Sequence, residues 1–341
     1  MKNLILFLSC TSLFSGCVRL PLKTPVRVSA PLPEFYASQL RENARPLKVV
    51  GEDALLEETE DYQRWLTTIE SYQPHWGTNK LVELEWVMPH GAINLPVSLL
   101  LPVSGGKKYP LERSRLGPYL EEEGKICSVL VRRERKMGRL DLMDASVYDP
   151  IIRQTVMDNK LALDWIATRK EFDTNRIGLI GTSLGSMKGA MLVATDDRIK
   201  AAVLILAGCD APYLLAYSKE GAFRRGGMSA KREWYLKHKG LTREEFREQL
   251  AEVIRWDPKY IGSSADPRKI LLILGACDVV VPFKKGMELR RAMGHPETIV
   301  LPTGHYASLL YFSYMKSEAL EFLQEKFDEE QEGGGHAIVA R

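Results

Sequence analysis

The residues whose types and spacing could do chemistry together are one serine, two aspartates and three histidines. Ser183 is the centre of Gly181-Thr-Ser-Leu-Gly185. The apolar run Arg176-Ile-Gly-Leu-Ile180 precedes it, and the small-residue stretch Ser186-Met-Lys-Gly-Ala-Met-Leu192 follows. That order reads as strand, sharp turn and helix, the context in which Gly-x-Ser-x-Gly presents a serine hydroxyl. Glycines two residues to either side allow close backbone packing. The start of the following helix offers the N–H of Leu184 to a developing oxyanion. The plainer alternative is an ordinary strand-to-helix turn with a capping serine.

A serine hydroxyl is a weak nucleophile until a base takes its proton and an acid orients that base. His305 lies in Pro302-Thr-Gly-His-Tyr306, directly after the apolar strand 298–301. His295 opens the same strand and belongs to its opposite end, and His336 falls in a glycine-rich tail. His305 is therefore the expected base. Two aspartates compete for the acid: Asp278, just past strand 270–274, and Asp210, just past strand 201–207.

These residues need a scaffold that brings several strand ends to one edge. Leu81 to Met88 alternates apolar and charged residues, as a half-buried antiparallel strand does. Further strands are expected over 95–101, 126–131, 176–180, 201–207, 270–274 and 298–301. Helical spacing falls near 110–123 and from Asp149 to Arg169, through Ile152, Val156, Leu161 and Trp165. Apolar strands alternating with helices predict a mostly parallel central sheet with helices on both faces. Residues 209–266 interrupt the rhythm with a polar, basic, helical stretch. Residues 217–259 hold eleven Lys/Arg against seven Asp/Glu. An insertion there is expected to form a cap over the sheet edge, the alternative being a decoration far from chemistry.

The N-terminus reads as an export segment. Lys2 precedes a short apolar stretch from Leu4 to Phe14, too short to span a bilayer. Phe14-Ser-Gly-Cys17 resembles a bacterial lipobox, in which Cys17 would be acylated; simple secretion and a retained signal are the alternatives. A protein of this kind is expected in the periplasm or lipid-anchored at the outer membrane. Five prolines between Pro21 and Pro46 predict a tether. The expected organisation is an export segment over 1–17, tether and lead-in over 18–79, a body over 80–326 and a flexible tail over 327–341.

Three stretches resemble the α/β-hydrolase superfamily, with the nearest likeness to bacterial dienelactone-hydrolase and acetyl-esterase-like branches. They are LDWIATRKEFDTNRIGLIGTSLGSMKGA (163–190), LILGACDVVVP (272–282) and LPTGHYA (301–307), within a resemblance covering about 80–325. The resemblance implies the α/β-hydrolase fold and a triad of Ser183, Asp278 and His305. It also implies a second oxyanion N–H from the loop after the third strand, here Pro102 to Gly106, with Val103 or Ser104 as donor. Many relatives have His-Gly there, but a backbone donor makes no demand on side-chain type. Relatives carry a D-x-R-G-x-G-like stretch where this chain has the basic run Arg132 to Lys136. That run either selects anionic substrates or is solvated surface.

The 341 residues carry 47 Lys+Arg against 44 Asp+Glu, too balanced to announce a nucleic-acid binder. A 45% hydrophobic content excludes a mainly disordered chain. Five cysteines, at 10, 17, 127, 209 and 277, form no paired ligand motif. Cys209 and Cys277 could form a disulfide, although single buried thiols are the simpler reading. The expected protein is a serine hydrolase acting on small-molecule carboxylic esters without cofactor or metal. Acyl transfer, peptide cleavage, or binding by an inert fold would use the same scaffold.

Overall fold

The computed structural model describes residues 16–22, 29–71, 81–103, 115–131, 143–221 and 227–336, with side chains undescribed at 43 and 331–336. The strands are β1 (Val18–Leu20), β2 (Ala54–Glu58), β3 (Tyr62–Glu70), β4 (Leu81–Pro89), β5 (Leu95–Leu101), β6 (Cys127–Val131), β7 (Phe172–Thr182), β8 (Ile199–Ile205), β9 (Ile270–Gly275) and β10 (Glu297–Leu301). They form one sheet in the order β1-β10-β9-β8-β7-β5-β6-β4-β3-β2. The central strands, from β10 across to β6, are parallel. β1 at one edge and β4, β3 and β2 at the other are antiparallel.

The central strands are buried on both faces because helices cover both. On one side lie α3 (Ala145–Ile166), α4 (Leu184–Val193) and α9 (Phe283–Ala292), contributing Trp165, Met191 and Leu289 to one core. On the other, α2 (Gly117–Gly124) and α10 (Phe312–His336) contribute Leu120, Phe322, Leu323 and Phe327 to a second core. Near-continuous apolar strands such as Ile270–Gly275 are the sequence mark of that double coverage. The alternation in β4 is misleading for the same reason. Glu85 is only 3% exposed and forms an ion pair with buried Arg64 on β3, at 3.2 Å. Its charge marks a buried pair, where the alternating pattern predicts a solvent face.

The N-terminal segment is structural over much of the length that its prolines assign to a tether. β1 joins the sheet, and β2 and β3 extend it at the far edge. Between them, α1 (Glu34–Asn43) packs on the body: the Tyr36 ring meets Trp256 edge-on at 5.5 Å, and Tyr36 Oη donates to the Arg255 carbonyl at 2.8 Å. Gln39 Oε1 accepts from Trp256 Nε1 and from Arg153 on α3. Prolines fix φ without preventing short elements between them, so the segment wraps the body. The tail differs too: α10 continues through His336, running out from the second core in which Leu323 and Phe327 are buried.

Residues 209–221 and 227–266 cover the carboxyl ends of the parallel strands. They form α5 (Ala211–Tyr217), α6 (Met228–Lys239), α7 (Arg243–Val253) and the short α8 (Pro258–Ile261). Met228, Leu236, Phe246, Leu250 and Trp256 join the first core, so the cap is continuous with the body. Its two ends are tied by Asp257, which is fully buried and accepts from the backbone N–H of Asp210 (3.0 Å), Ala211 (2.5 Å) and Lys259 (2.8 Å).

The turn between β7 and α4 depends on two close approaches. A Cβ on Gly185 would lie 2.0 Å from the Leu101 carbonyl oxygen and 2.6 Å from that of Pro102. A Cβ on Gly181 would lie 2.6 Å from the Gly185 carbonyl oxygen. The start of α4 is thereby pressed against the end of β5. Both near atoms belong to backbone and cannot rotate aside. Gly185→Ala is therefore expected to destabilise the protein by at least about 2 kcal/mol, measured as a lower midpoint of urea unfolding. An unchanged midpoint would show that β5 and α4 can separate freely.

Candidate active site

Ser183 has φ 54° and ψ −116°, a conformation L-residues rarely hold. Its N–H donates to the Ile205 carbonyl at the end of β8, at 2.9 Å. Its own carbonyl accepts from Ser186 N–H at 3.0 Å and from Ser186 Oγ. These bonds fix the backbone and point the side chain out of the sheet edge. Ser183 Oγ lies 3.0 Å from His305 Nε2.

His305 is carried by the loop after β10, as its position predicts. Nδ1 lies 2.6 Å from Asp278 Oδ2. With the Nδ1 proton directed at that carboxylate, Nε2 is left as an acceptor for the serine hydroxyl. Asp278 is itself oriented: Oδ1 accepts from the N–H of Val280 (2.8 Å) and Val281 (2.9 Å). The loops bearing Asp278 and His305 are joined by backbone bonds from Ala276 N–H to Leu301 and from Cys277 N–H to Thr303, at 2.9 and 3.0 Å. Spacing in the sequence gives no sign of this stitching, which sets the distance between acid and imidazole.

The rival aspartate is engaged elsewhere. Asp210 Oδ2 accepts from Lys285 Nζ at 2.5 Å, with Lys259 Nζ at 3.5 Å. Burial alone would raise its carboxyl, but the hydrogen bond and charge of Lys285 outweigh burial and hold it below the usual range. It also caps α5 by accepting from Tyr213 N–H, at 3.4 Å. His295 contacts Arg290 at 3.1 Å and sits in the turn entering β10, away from the carboxyl edge. The His336 side chain lies outside the described residues.

Leu184 begins α4, where the first N–H groups have no acceptor within the helix. The contact of Gly185 with Leu101 and Pro102 brings this helix start against the segment that leads to Val103. Both Leu184 and Val103 line the same cavity as Ser183 and His305. Ser104, with the rest of the loop through Gly106, lies outside the described residues, as does the basic run 132–136.

That cavity holds about 340 Å³ beneath the cap. Met187, Leu214, Met228 and Val281 make its walls mainly apolar. Glu220 and Arg232 add charge. Arg232 is almost wholly buried and donates from Nη1 to the carbonyls of Leu215 (3.2 Å) and Ser218 (2.9 Å). Burial pushes its guanidinium down from the ordinary value. Sequence reading registers this arginine only as part of a basic stretch. Its distinguishing feature is an apolar helix face around it, with Met228 and Leu236 at i−4 and i+4.

Among the described residues no group of three histidine, cysteine or acidic side chains is placed to hold a metal ion. Cys209 and Cys277 are both free thiols. Cys209 is buried and directed at the Lys285 carbonyl at 3.7 Å, whereas Cys277 is exposed in the Asp278 loop. The expectation of single thiols holds, but burial does not extend to Cys277, because that loop leaves the sheet edge. Cys127 lies within β6, where burial pushes its thiol up to about 12.

No protein-family model matches the chain, and no curated protein matches it in sequence. Solved structures do match. The acetyl xylan esterase from Paenibacillus sp. R4 aligns with a TM-score of 0.59 at 17% identity, over 87% of this chain and 97% of that one. Acetyl xylan esterase 1 from Thermoanaerobacterium sp. JW/SL YS485 aligns at 0.56 and 13% identity, over 89% and 99%. A CE15 glucuronoyl esterase from Teredinibacter turnerae T7901 aligns at 0.54 and 13% identity, over 86% and 84%. The mostly parallel sheet, the helices on both faces and these likenesses agree: the chain has the α/β-hydrolase fold.

Proposed function

We propose that this protein is a serine hydrolase that cleaves carboxylic esters. The observation that carries the reading is the hydrogen-bonded chain from Ser183 through His305 to Asp278, opening into an apolar cavity. The esterase names of the structural neighbours support it. His305 Nε2 takes the proton of Ser183 as Oγ attacks the ester carbonyl. Asp278 keeps the imidazole in the required tautomer and stabilises the imidazolium. The N–H of Leu184, with that of Val103 or Ser104, receives the oxyanion charge as the tetrahedral intermediate forms. Collapse expels the alcohol, protonated by His305. Water then attacks the acyl-enzyme with His305 again as base, releasing the acid and restoring Ser183.

Residues 1–17 support a second part of this proposal, export across the inner membrane with acylation at Cys17. Cys17 packs at the margin of the second core, with its thiol raised by partial burial and by Glu318.

Ser183→Ala is expected to cut turnover of p-nitrophenyl acetate by at least about a thousandfold, with an unchanged melting temperature. It should also abolish labelling by a fluorophosphonate. Retained turnover overturns the assignment of Ser183. The two aspartates should separate cleanly. Asp278→Asn is expected to cost about 10⁴ in kcat by favouring the wrong imidazole tautomer. Asp210→Asn should chiefly lower the melting temperature, since it weakens the bond to buried Lys285. The reverse pattern would make Asp210 the acid.

A further inference from the structure

β1 pairs antiparallel with β10, with Val18 opposite Val300 and Leu20 opposite Thr298. The register places Cys17 beside Leu301 and Gly16 beside Pro302. A Cβ on Gly16 would indeed lie 3.1 Å from Pro302 Cγ. Pro302 is three residues before His305. Whatever precedes Gly16 therefore joins the body at the carboxyl edge of the sheet, where Ser183, Asp278 and His305 meet. The strand is pinned there: Arg19 pairs with Glu297 at 2.7 Å and with Glu318, and Arg290 donates to the Pro21 carbonyl at 2.8 Å. Residues 18–20, which the prolines assign to a tether, are instead a strand of the sheet.

The same edge is apolar on its outside. Tyr306 is 61% exposed, Leu310 is 74% exposed, and Leu309, Val279 and Val103 are exposed as well. These five follow the carboxyl ends of β10, β9 and β5. Tyr306, Leu309 and Val103 also line the cavity, so the exposed apolar rim is continuous with its apolar wall. Lys316 lies in the adjoining pocket beside Leu309, with its ammonium 3.7 Å from the Tyr119 ring centroid, and adds a cation near this rim. Among the described residues no helix is long and apolar enough to cross a membrane. The apolar stretch from Leu4 to Phe14 precedes the edge in sequence.

We propose that this edge rests on a lipid bilayer, so that the cavity opens toward lipid and receives esters held in or on the membrane. The proposal deepens the hydrolase reading, on which its substrate class rests, and it uses the export segment as the point of attachment. An attachment at Cys17 holds the rim against the surface and raises the local concentration of any ester dissolved there. Apolar rim side chains that enter the interface leave water, which favours that orientation over others. A second copy of the chain and residues 1–15 are the competing occupants of the rim.

The test uses the full chain as recovered from a bacterial host, with vesicles of phosphatidylcholine and phosphatidylglycerol. Leu310 is the most exposed of the five and lines no part of the cavity, so Leu310→Asp is the informative variant. Its turnover of a long-chain p-nitrophenyl ester dissolved in the vesicles should fall about tenfold or more. Its turnover of soluble p-nitrophenyl acetate should stay unchanged. Equal effects on both esters, or none on either, overturn the proposal.

A second measurement is independent of turnover. In the Ser183→Ala chain, an added Leu310→Trp should be quenched by vesicles of brominated phosphatidylcholine, while Leu55→Trp, on β2 at the far edge, should not. Equal quenching, or protection of the Leu310→Trp indole by self-association or by the N-terminal residues, overturns docking. Quenching without hydrolysis of either ester by the wild type would remove the hydrolase reading and leave the membrane contact standing.

Discussion

A non-glycine residue at φ 54° and ψ −116° sits outside the regions open to L-residues, at a cost of about 1–3 kcal/mol. The surroundings of Ser183 offset that cost. Ile205 and Ser186 take up its backbone groups, and two glycines let α4 approach β5 more closely than any side chain would permit. The strain has a chemical result. It turns the hydroxyl out of the sheet edge while leaving the first N–H groups of α4 beside it. Nucleophile and oxyanion donor are therefore positioned by one backbone constraint, and the surrounding strands serve to keep it from relaxing.

Asp278 and Asp210 show how equal burial can lead to different uses. The first is 6% exposed and the second 7%. Asp210 is neutralised by Lys285 and caps a helix, so its charge is already taken up by protein cations. Asp278 receives backbone N–H groups at one oxygen, which orient it without neutralising it, and its other oxygen faces His305. Only the second arrangement leaves negative charge available to an imidazolium. The cap participates through Asp257, whose three backbone bonds join the ends of the insertion, so α5 and α6 stand over the cavity from a closed base.

Much of this was legible in the sequence because the constraints are local there. The turn glycines, the apolar strands and the placement of His305 and Asp278 past strand ends each leave a mark within a few residues. What was hidden depends on pairing over long distances. β1 has three residues, and its partner is almost 280 residues away; nothing in Val18-Arg-Leu20 announces an edge strand. Five prolines masked α1, whose hold on the cap comes from Trp256, far along the chain. Glu85 looked solvent-facing because its partner Arg64 lies on a strand that the sequence did not reveal. Arg232 was one of many cap cations, and only its burial against the cavity sets it apart. The resemblance points to Val103 or Ser104 for the second oxyanion donor, and Val103 lines the cavity beside Ser183.

The three-residue strand at the sheet edge also matters for anyone preparing this protein. Among the described residues, β10 has β9 on one side and, on the other, only Val18, Arg19 and Leu20. A chain shortened to begin after the proline-rich segment would leave that side of β10 without a partner. Thr298, Ile299 and Val300 would then form a β-branched, uncharged template for strands of other molecules. Precipitation of such a shortened protein would thus report a lost edge partner, even with every residue around Ser183 intact.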